Sequence, residues 1–234
     1  MNRKTWGSRM QIGLLLLPGV LIFGIFTLYP IAKLFLMSFF KWDFGSILSQ
    51  EFFGLGNYGE VFGDPYFHTV FVNSIVYTLV TVPAQMLLGL LTALFINSIC
   101  HFRIGFRVLY YLPVITSWVI ASLVFKYVFN TEGMLNYFLT SVIHVTGQNI
   151  RWLDTRWGGL TIAMLLGIWK GIGWNMVVFL AALQTVPQEL YEVASLDGAG
   201  SVRKFFSVTL PAIRGTVLFA LVILTIGGFN VFTS

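Results

Sequence analysis

Across its 234 residues the chain is 57% hydrophobic and only 10% charged, with a formal net charge of +5. Soluble domains carry about 25% charged residues, so this composition cannot clothe a water-exposed surface. A single cysteine, Cys100, excludes an internal disulfide and argues against a cysteine-based metal site. The positive charge is read as membrane anchoring rather than as a nucleic-acid surface.

The apolar residues are gathered into long runs. Ile12 to Tyr29 holds 18 residues without a charge. Arg3, Lys4 and Arg9 precede it, as in a signal peptide, but no small-residue cleavage site follows Pro18-Gly19, so it is read as a retained span. An aromatic, glycine-rich loop follows from Trp42 to Phe67. Thr69 to Cys100 then gives 32 uncharged residues, and Val108 to Phe125 gives 18. A second loop, with Gly133, Gly147 and Trp152, leads to Gly158–Gln188, broken only by Lys170, and Gly215–Ser234 adds 20 more. A spanning helix needs about 20 apolar residues, and backbone groups in lipid must pair within the segment. The expected fold class is therefore all-α, a polytopic membrane helix bundle with five spans. Pro30, Pro83 and Pro113 are expected to kink helices, and Trp42, Tyr58, Tyr66, Tyr127, Trp152 and Trp157 to form an interfacial belt.

Lysine and arginine placement sets the orientation. With the N-terminus in the cytoplasm, the inner segments hold Arg3, Lys4, Arg9, Arg103, Arg107, Arg203, Lys204 and Arg214, against Lys41, Lys126, Arg151 and Arg156 outside. The loop from about Gln184 to Arg214 then faces the cytoplasm.

Some patterns mimic chemistry. Gly54-Leu-Gly56-Asn-Tyr-Gly59 matches G-x-G-x-x-G, but it falls in an outer loop and not in a βαβ unit. His68, His101 and His144 are scattered over different loops, so no metal cluster or triad can be assembled. There is no G-x-x-x-x-G-K-[ST] phosphate loop. No catalytic, cofactor-binding or metal-binding residue is expected, and any ATP hydrolysis belongs to another chain.

The cytoplasmic loop carries the informative pattern. Pro187 suits a first helical turn, and Glu189 and Glu192 lie near its positive end. Leu190, Val193, Ala194 and Asp197 fall on one face, and Gly198 supplies a stop. Ala194, Ser195, Gly198, Ala199 and Gly200 are small enough for close approach by another protein, and Pro211 is expected to separate a second short helix from the last span.

This stretch resembles the EAA loop of ABC importer permeases, whose pattern is E-A-A, three residues, G, nine residues, I-x-L-P. The spacing agrees at every fixed position over 20 residues, with Glu192, Ala194, Gly198 and Leu210-Pro211 matching and Val193 and Val208 as apolar replacements. Glu-Leu-Tyr-Glu, Leu-Asp-Gly-Ala, Phe205-to-Pro211, Gly54-to-Tyr58, Phe106-Arg107 with Leu112-Pro113, and Gly133-to-Asn136 look like the carbohydrate-uptake subfamily that includes maltose and glycerol-3-phosphate permeases. The resemblance implies a coupling helix seated on the ATPase, with Glu192, Ala194, Asp197, Gly198, Ala199 and Pro211 as coupling residues. It implies a second permease subunit, two ATP-binding cassette subunits, an extracellular solute-binding protein, a sugar substrate and surrounding lipid as partners. It implies location in a bacterial or archaeal cytoplasmic membrane. Family members continue past Asn230-Val-Phe232 into a sixth core helix, so residues 1–234 are expected to be a C-terminally incomplete permease domain.

For the substrate path, Gly167, Gly171 and Trp174 share a face with Lys170 beside them, and Gly228 and Asn230 lie close along the last span. Aromatic faces and amides suit sugars, so Trp174, Asn175 and Asn230 are candidates. Gly167-x-x-x-Gly171 is equally a helix-packing motif, and an intramembrane lysine is a functional candidate by default. The alternatives are a permease for a polyamine or amino acid, or an ATP-independent channel.

Overall fold

The structure, a computed structural model, describes residues 3–42, 51–98 and 102–231, with side chains from residue 11 onward. Cys100, His101, residues 43–50 of the loop expected outside and the 232–234 end of the last charge-free run lie outside the described residues. The chain divides into two units, Met1–Val70 and Phe71–Ser234.

In the first unit α1 (Arg3–Phe23) passes through a π turn, Gly24–Leu28, into α2 (Tyr29–Met37). Pro30 follows the π turn within two residues, and the widened turn accommodates the N–H that proline lacks. The 27-residue stretch Gln11–Met37 is long enough to cross a membrane, and its most apolar window buries nothing within the protein. Two-residue strands β1 (Phe40–Lys41) and β2 (Glu51–Phe52) then pair antiparallel, and α3 (Gly56–Gly63) follows. The segment between α2 and α4 thus contains short elements of its own. Asn57 Nδ2 donates to the carbonyls of Ser38 at 2.8 Å and Phe40 at 3.0 Å, and the Ser38 and Tyr58 hydroxyls lie 2.7 Å apart. Within the G-x-G-x-x-G match, Gly54 makes the turn at φ +58°, while Gly56 and Gly59 belong to α3. A two-residue antiparallel strand makes no βαβ unit, so these glycines have a structural use.

α4 (Pro65–Ser98) starts in the first unit and runs through the second. It is followed by α5 (Arg103–Ile115), α6 (Trp118–Val128), α7 (Met134–Tyr137) with a π turn at Phe138–Val142, and α8 (Arg156–Gln184). Then come α9 (Gln188–Leu196), α10 (Ser201–Lys204), a π turn at Phe205–Thr209, and α11 (Leu210–Asn230). Pro211 does not break the chain into separate helices as expected, because the π turn absorbs its missing N–H and helix runs from Ser201 to Asn230.

Side-chain contacts set the directions of the long helices. Arg156 Nε donates to Asn73 Oδ1 at 2.8 Å. A Cβ added at Gly167 would strike the Tyr77 hydroxyl, one at Gly171 would strike Gln85, and one at Gly89 would strike Asn175. These pairs advance together along both chains, so α4 and α8 run parallel. Gly228 faces Thr78, with a Cβ there meeting Thr78 Oγ1 at 2.6 Å, while Ile213 joins Ile96 and Leu183 in the core. α11 is therefore antiparallel to both.

The connection from the end of α4 to the start of α8 must then cross the full height of the bundle. The expected third span, Val108–Phe125, does cross, but not as one helix: α5 and α6 are bent by 93° at a break over Thr116 and Ser117. The correction has a local cause. Pro113 removes a helical donor, and Thr116 and Ser117 adopt extended backbone, with ψ of 135° and 140°. Because α4 and α8 are parallel, the bent pair is a broken span and not a re-entrant loop.

The core lies at the level of the α4 and α8 C-termini. Ala93 and Ile96 of α4, Met176, Phe179, Leu180 and Leu183 of α8, and Ile213 and Ala220 of α11 pack there. Lipid is as apolar as these side chains, so close packing and polar contacts, not exclusion of water, hold such helices together.

Beyond α6, fully buried Asn136 organises the loop that leads to α8. Its Nδ2 donates to the carbonyls of Asn130, Thr131 and Ile150, and its Oδ1 accepts from Ile150 N–H and Trp152 Nε1. Asn136→Ala strands several buried polar groups. It is expected to cost about 3 kcal/mol locally, seen as faster proteolysis within 129–155 in detergent while membrane insertion is unchanged.

Candidate functional site

A cavity of about 330 Å³ opens among α4, α5, α6, α8 and α11. From α4 it is lined by Tyr77, Thr81 and Gln85, a polar row at every fourth position. Val114 and Trp118 line it from either side of the break, and Gly167, Lys170, Gly171 and Trp174 from α8. Ile223, Leu224, Gly227, Gly228 and Val231 close the remaining wall. The missing side chains at Gly167 and Gly171 bring the Tyr77 hydroxyl and the Gln85 amide against bare α8 backbone. The result is an aromatic and amide-lined chamber at the small end of ligand-binding volumes.

Five of the expected path residues, Gly167, Lys170, Gly171, Trp174 and Gly228, meet on this cavity. Asn175 and Asn230 are not among its lining residues. Asn175 is fully buried, donates from Nδ2 to the Gly171 carbonyl at 2.9 Å and packs against Gly89. Asn230 sits exposed at the end of α11. Tyr77, Thr81, Gln85, Val114 and Trp118 were not anticipated. The every-fourth-residue polar spacing of the first three was legible in the sequence, whereas Val114 and Trp118 reach the cavity only because their span is broken.

Lys170 is 5% exposed. Its ammonium donates to the carbonyl of Pro113 at 2.8 Å and to that of Thr116, and lies 4.8 Å from the centroid of the Trp118 ring. Among the described residues no carboxylate meets it.

The second site is the loop after α8. Pro187 caps α9, with Glu189 in the first turn. At the other end Gly198 adopts φ +73°, Gly198 N–H donates to the Ser195 carbonyl at 3.0 Å, and Ala199 N–H donates to that of Ala194 at 2.9 Å. This pair of bonds is a Schellman closure, which favours glycine at the left-handed position. Glu192 and Gly198 are exposed, and Leu196 is 88% exposed. Leu190, Val193, Ala194 and Asp197 share one face, as expected, and border a groove of about 560 Å³ with Ser207, Val208, Pro211 and Ala212. Two polar contacts tie α9 to the following segment: the Tyr191 and Thr209 hydroxyls lie 3.0 Å apart, and Lys204 Nζ donates to Ser195 Oγ at 2.6 Å.

Residues 67–234 match the family described as binding-protein-dependent transport system inner membrane component. The chain belongs to this family. It is 36% identical to the arabinooligosaccharides transport system permease protein of Halalkalibacterium halodurans, over 93% of this chain and 68% of that one. It is 34% identical to the sulfoquinovosyl glycerol transport system permease protein of Agrobacterium fabrum, over 97% of this chain and 73% of that one. A crystal structure of a bacterial alginate ABC transporter, in complex with an alginate pentasaccharide-bound periplasmic protein, superposes with a TM-score of 0.79 at 25% identity, covering 97% of this chain and 75% of that one. As a member of the family, this inner membrane component is a multi-pass membrane protein and a transport subunit.

The glycine contacts make the cavity testable in this inner membrane component. Gly167→Ala places a methyl on the Tyr77 hydroxyl. It is expected to raise the apparent KM for uptake about tenfold, roughly 1.4 kcal/mol, measured by radiolabelled solute uptake normalised to the amount of protein in the membrane.

Proposed function

We propose that this chain is the permease subunit of an ABC importer for a sugar or sugar-like solute, with residues 1–234 belonging to its transmembrane domain. The observation that carries the reading is the loop of residues 184–214. A helix with Glu192, Ala194 and Gly198 in the EAA frame is presented on the surface and closed by a glycine in left-handed backbone. Asp197, Ala199 and Pro211 complete the proposed coupling surface. The ATPase is a separate chain, two copies of which work with two permease subunits and an extracellular solute-binding protein. The named substrates of the similar permeases and the alginate transporter support a carbohydrate as solute.

The cavity is the proposed solute path. Tyr77, Thr81 and Gln85 offer hydroxyl and amide groups for sugar hydroxyls, and Trp118 and Trp174 offer ring faces. ATP binding favours one state of the assembly through its different affinity for the two. A push on α9 passes through Tyr191–Thr209 and Ser195–Lys204 to the start of the Ser201–Asn230 helix, whose far end forms a cavity wall. The permease halves thereby rock between inward-open and outward-open states.

Gly198→Val tests the coupling. A branched residue at φ +73° costs about 1–2 kcal/mol, and the open space around the position means that the altered surface, not a clash, is what the ATPase meets. Co-purification of the ATPase and solute-stimulated ATP hydrolysis are expected to fall while insertion persists. Normal values of both would reject Gly198 as a coupling residue.

Orientation follows from the lysine and arginine bias, with the N-terminus in the cytoplasm of a bacterial or archaeal cell. A cysteine at exposed Gly147, in a Cys100→Ala background, is expected to react with an impermeant thiol reagent added outside intact cells. Reaction only after permeabilisation would reverse the topology.

A further inference from the structure

The break between α5 and α6 presents a problem that lipid makes severe. The last carbonyls of a helix have no partner within it, and irregular backbone at membrane depth survives only where protein or a cavity satisfies it. Here Leu112 O accepts from Thr116 Oγ1 at 3.1 Å and Ser117 O accepts from Ala121 N–H at 3.0 Å. The carbonyls of Pro113 and Thr116 are met by the ammonium of Lys170, which is 57 and 54 residues away in sequence. These carbonyls form the negative end of the α5 macrodipole, where a cation is favoured.

An ammonium has three donors. Two are engaged by backbone and the charge lies over the Trp118 ring, at the first position of α6. One side chain on α8 therefore holds both arms of the broken span, the C-terminus of α5 through carbonyls and the N-terminus of α6 through the ring. We propose that Lys170 is a positioning residue that fastens the bend of the third span and holds Trp118 as a wall of the cavity, rather than a charge offered to the solute. This assignment goes beyond the transport reading and does not depend on the identity of the solute.

The bend can be read directly by electron–electron double resonance on the full chain in lipid nanodiscs. Spin labels are placed at Ile104→Cys and Tyr127→Cys, sites 78% and 73% exposed, in a Cys100→Ala background. At 1.5 Å per residue the two arms measure about 18 Å and about 15 Å. At the 93° bend they give a backbone separation of about 23 Å, against about 35 Å for a straight helix. The parent is expected to show one narrow distribution. Lys170→Met, which keeps side-chain length but has no donor, is expected to broaden it and shift it several ångströms longer. Lys170→Arg, which keeps charge and donors, is expected to restore the short distance. A Lys170→Met distribution identical to the parent would overturn the proposal, as would Lys170→Arg behaving like Lys170→Met. Membrane accumulation of Lys170→Arg but not of Lys170→Met also supports the assignment. Accumulation of neither overturns it, because the size of lysine and not its donors would then be what the site requires.

Discussion

Backbone-level contact between α4 and α8 is the constraint on which the second unit depends. Gly167 and Gly171 leave no Cβ between the α8 backbone and the tips of Tyr77 and Gln85, and Gly89 does the same for Asn175 from the other side. Helices in lipid gain little from burying apolar surface, so such close approaches are where association energy is found. The contacts fix α4 and α8 as parallel neighbours, and that direction requires the intervening segment to cross. They also decide which polar groups of α4 meet the cavity.

Satisfying the backbone in that crossing segment links fold to site. The chain breaks where Pro113, Thr116 and Ser117 cluster, and the break lies beside the cavity through Val114 and Trp118. A lysine in such a place is costly without compensation. Helix-end carbonyls and an aromatic face supply that compensation, with no carboxylate among the described residues. The same geometry stabilises the ion and the irregular backbone.

At the opposite level the design is simpler. α9 is short, begins after Pro187, is closed by the turn at Gly198, and leaves Glu192, Leu196 and Gly198 exposed. It is tied to the Ser201–Asn230 run by hydroxyl and ammonium contacts rather than by a hydrophobic core. A stiff helical run through the bundle then joins the loop to the cavity wall.

The sequence by itself determined the membrane class, the spans as apolar segments, and the short helix after α8 with its glycine stop. These are properties of composition, period and local backbone preference, which act within a few residues. The polar row of Tyr77, Thr81 and Gln85 was equally local, although its spacing gave no sign of what it would face. Tertiary structure decided that the break in Val108–Phe125 lies beside the cavity, with Val114 and Trp118 on its wall. It also turned Asn175 toward Gly89 and gave Lys170 two backbone carbonyls as partners. The physical reason is common to these cases. A buried polar group takes whichever partner the packed helices bring within hydrogen-bonding reach, and the partners of Lys170 lie more than fifty residues away in the chain.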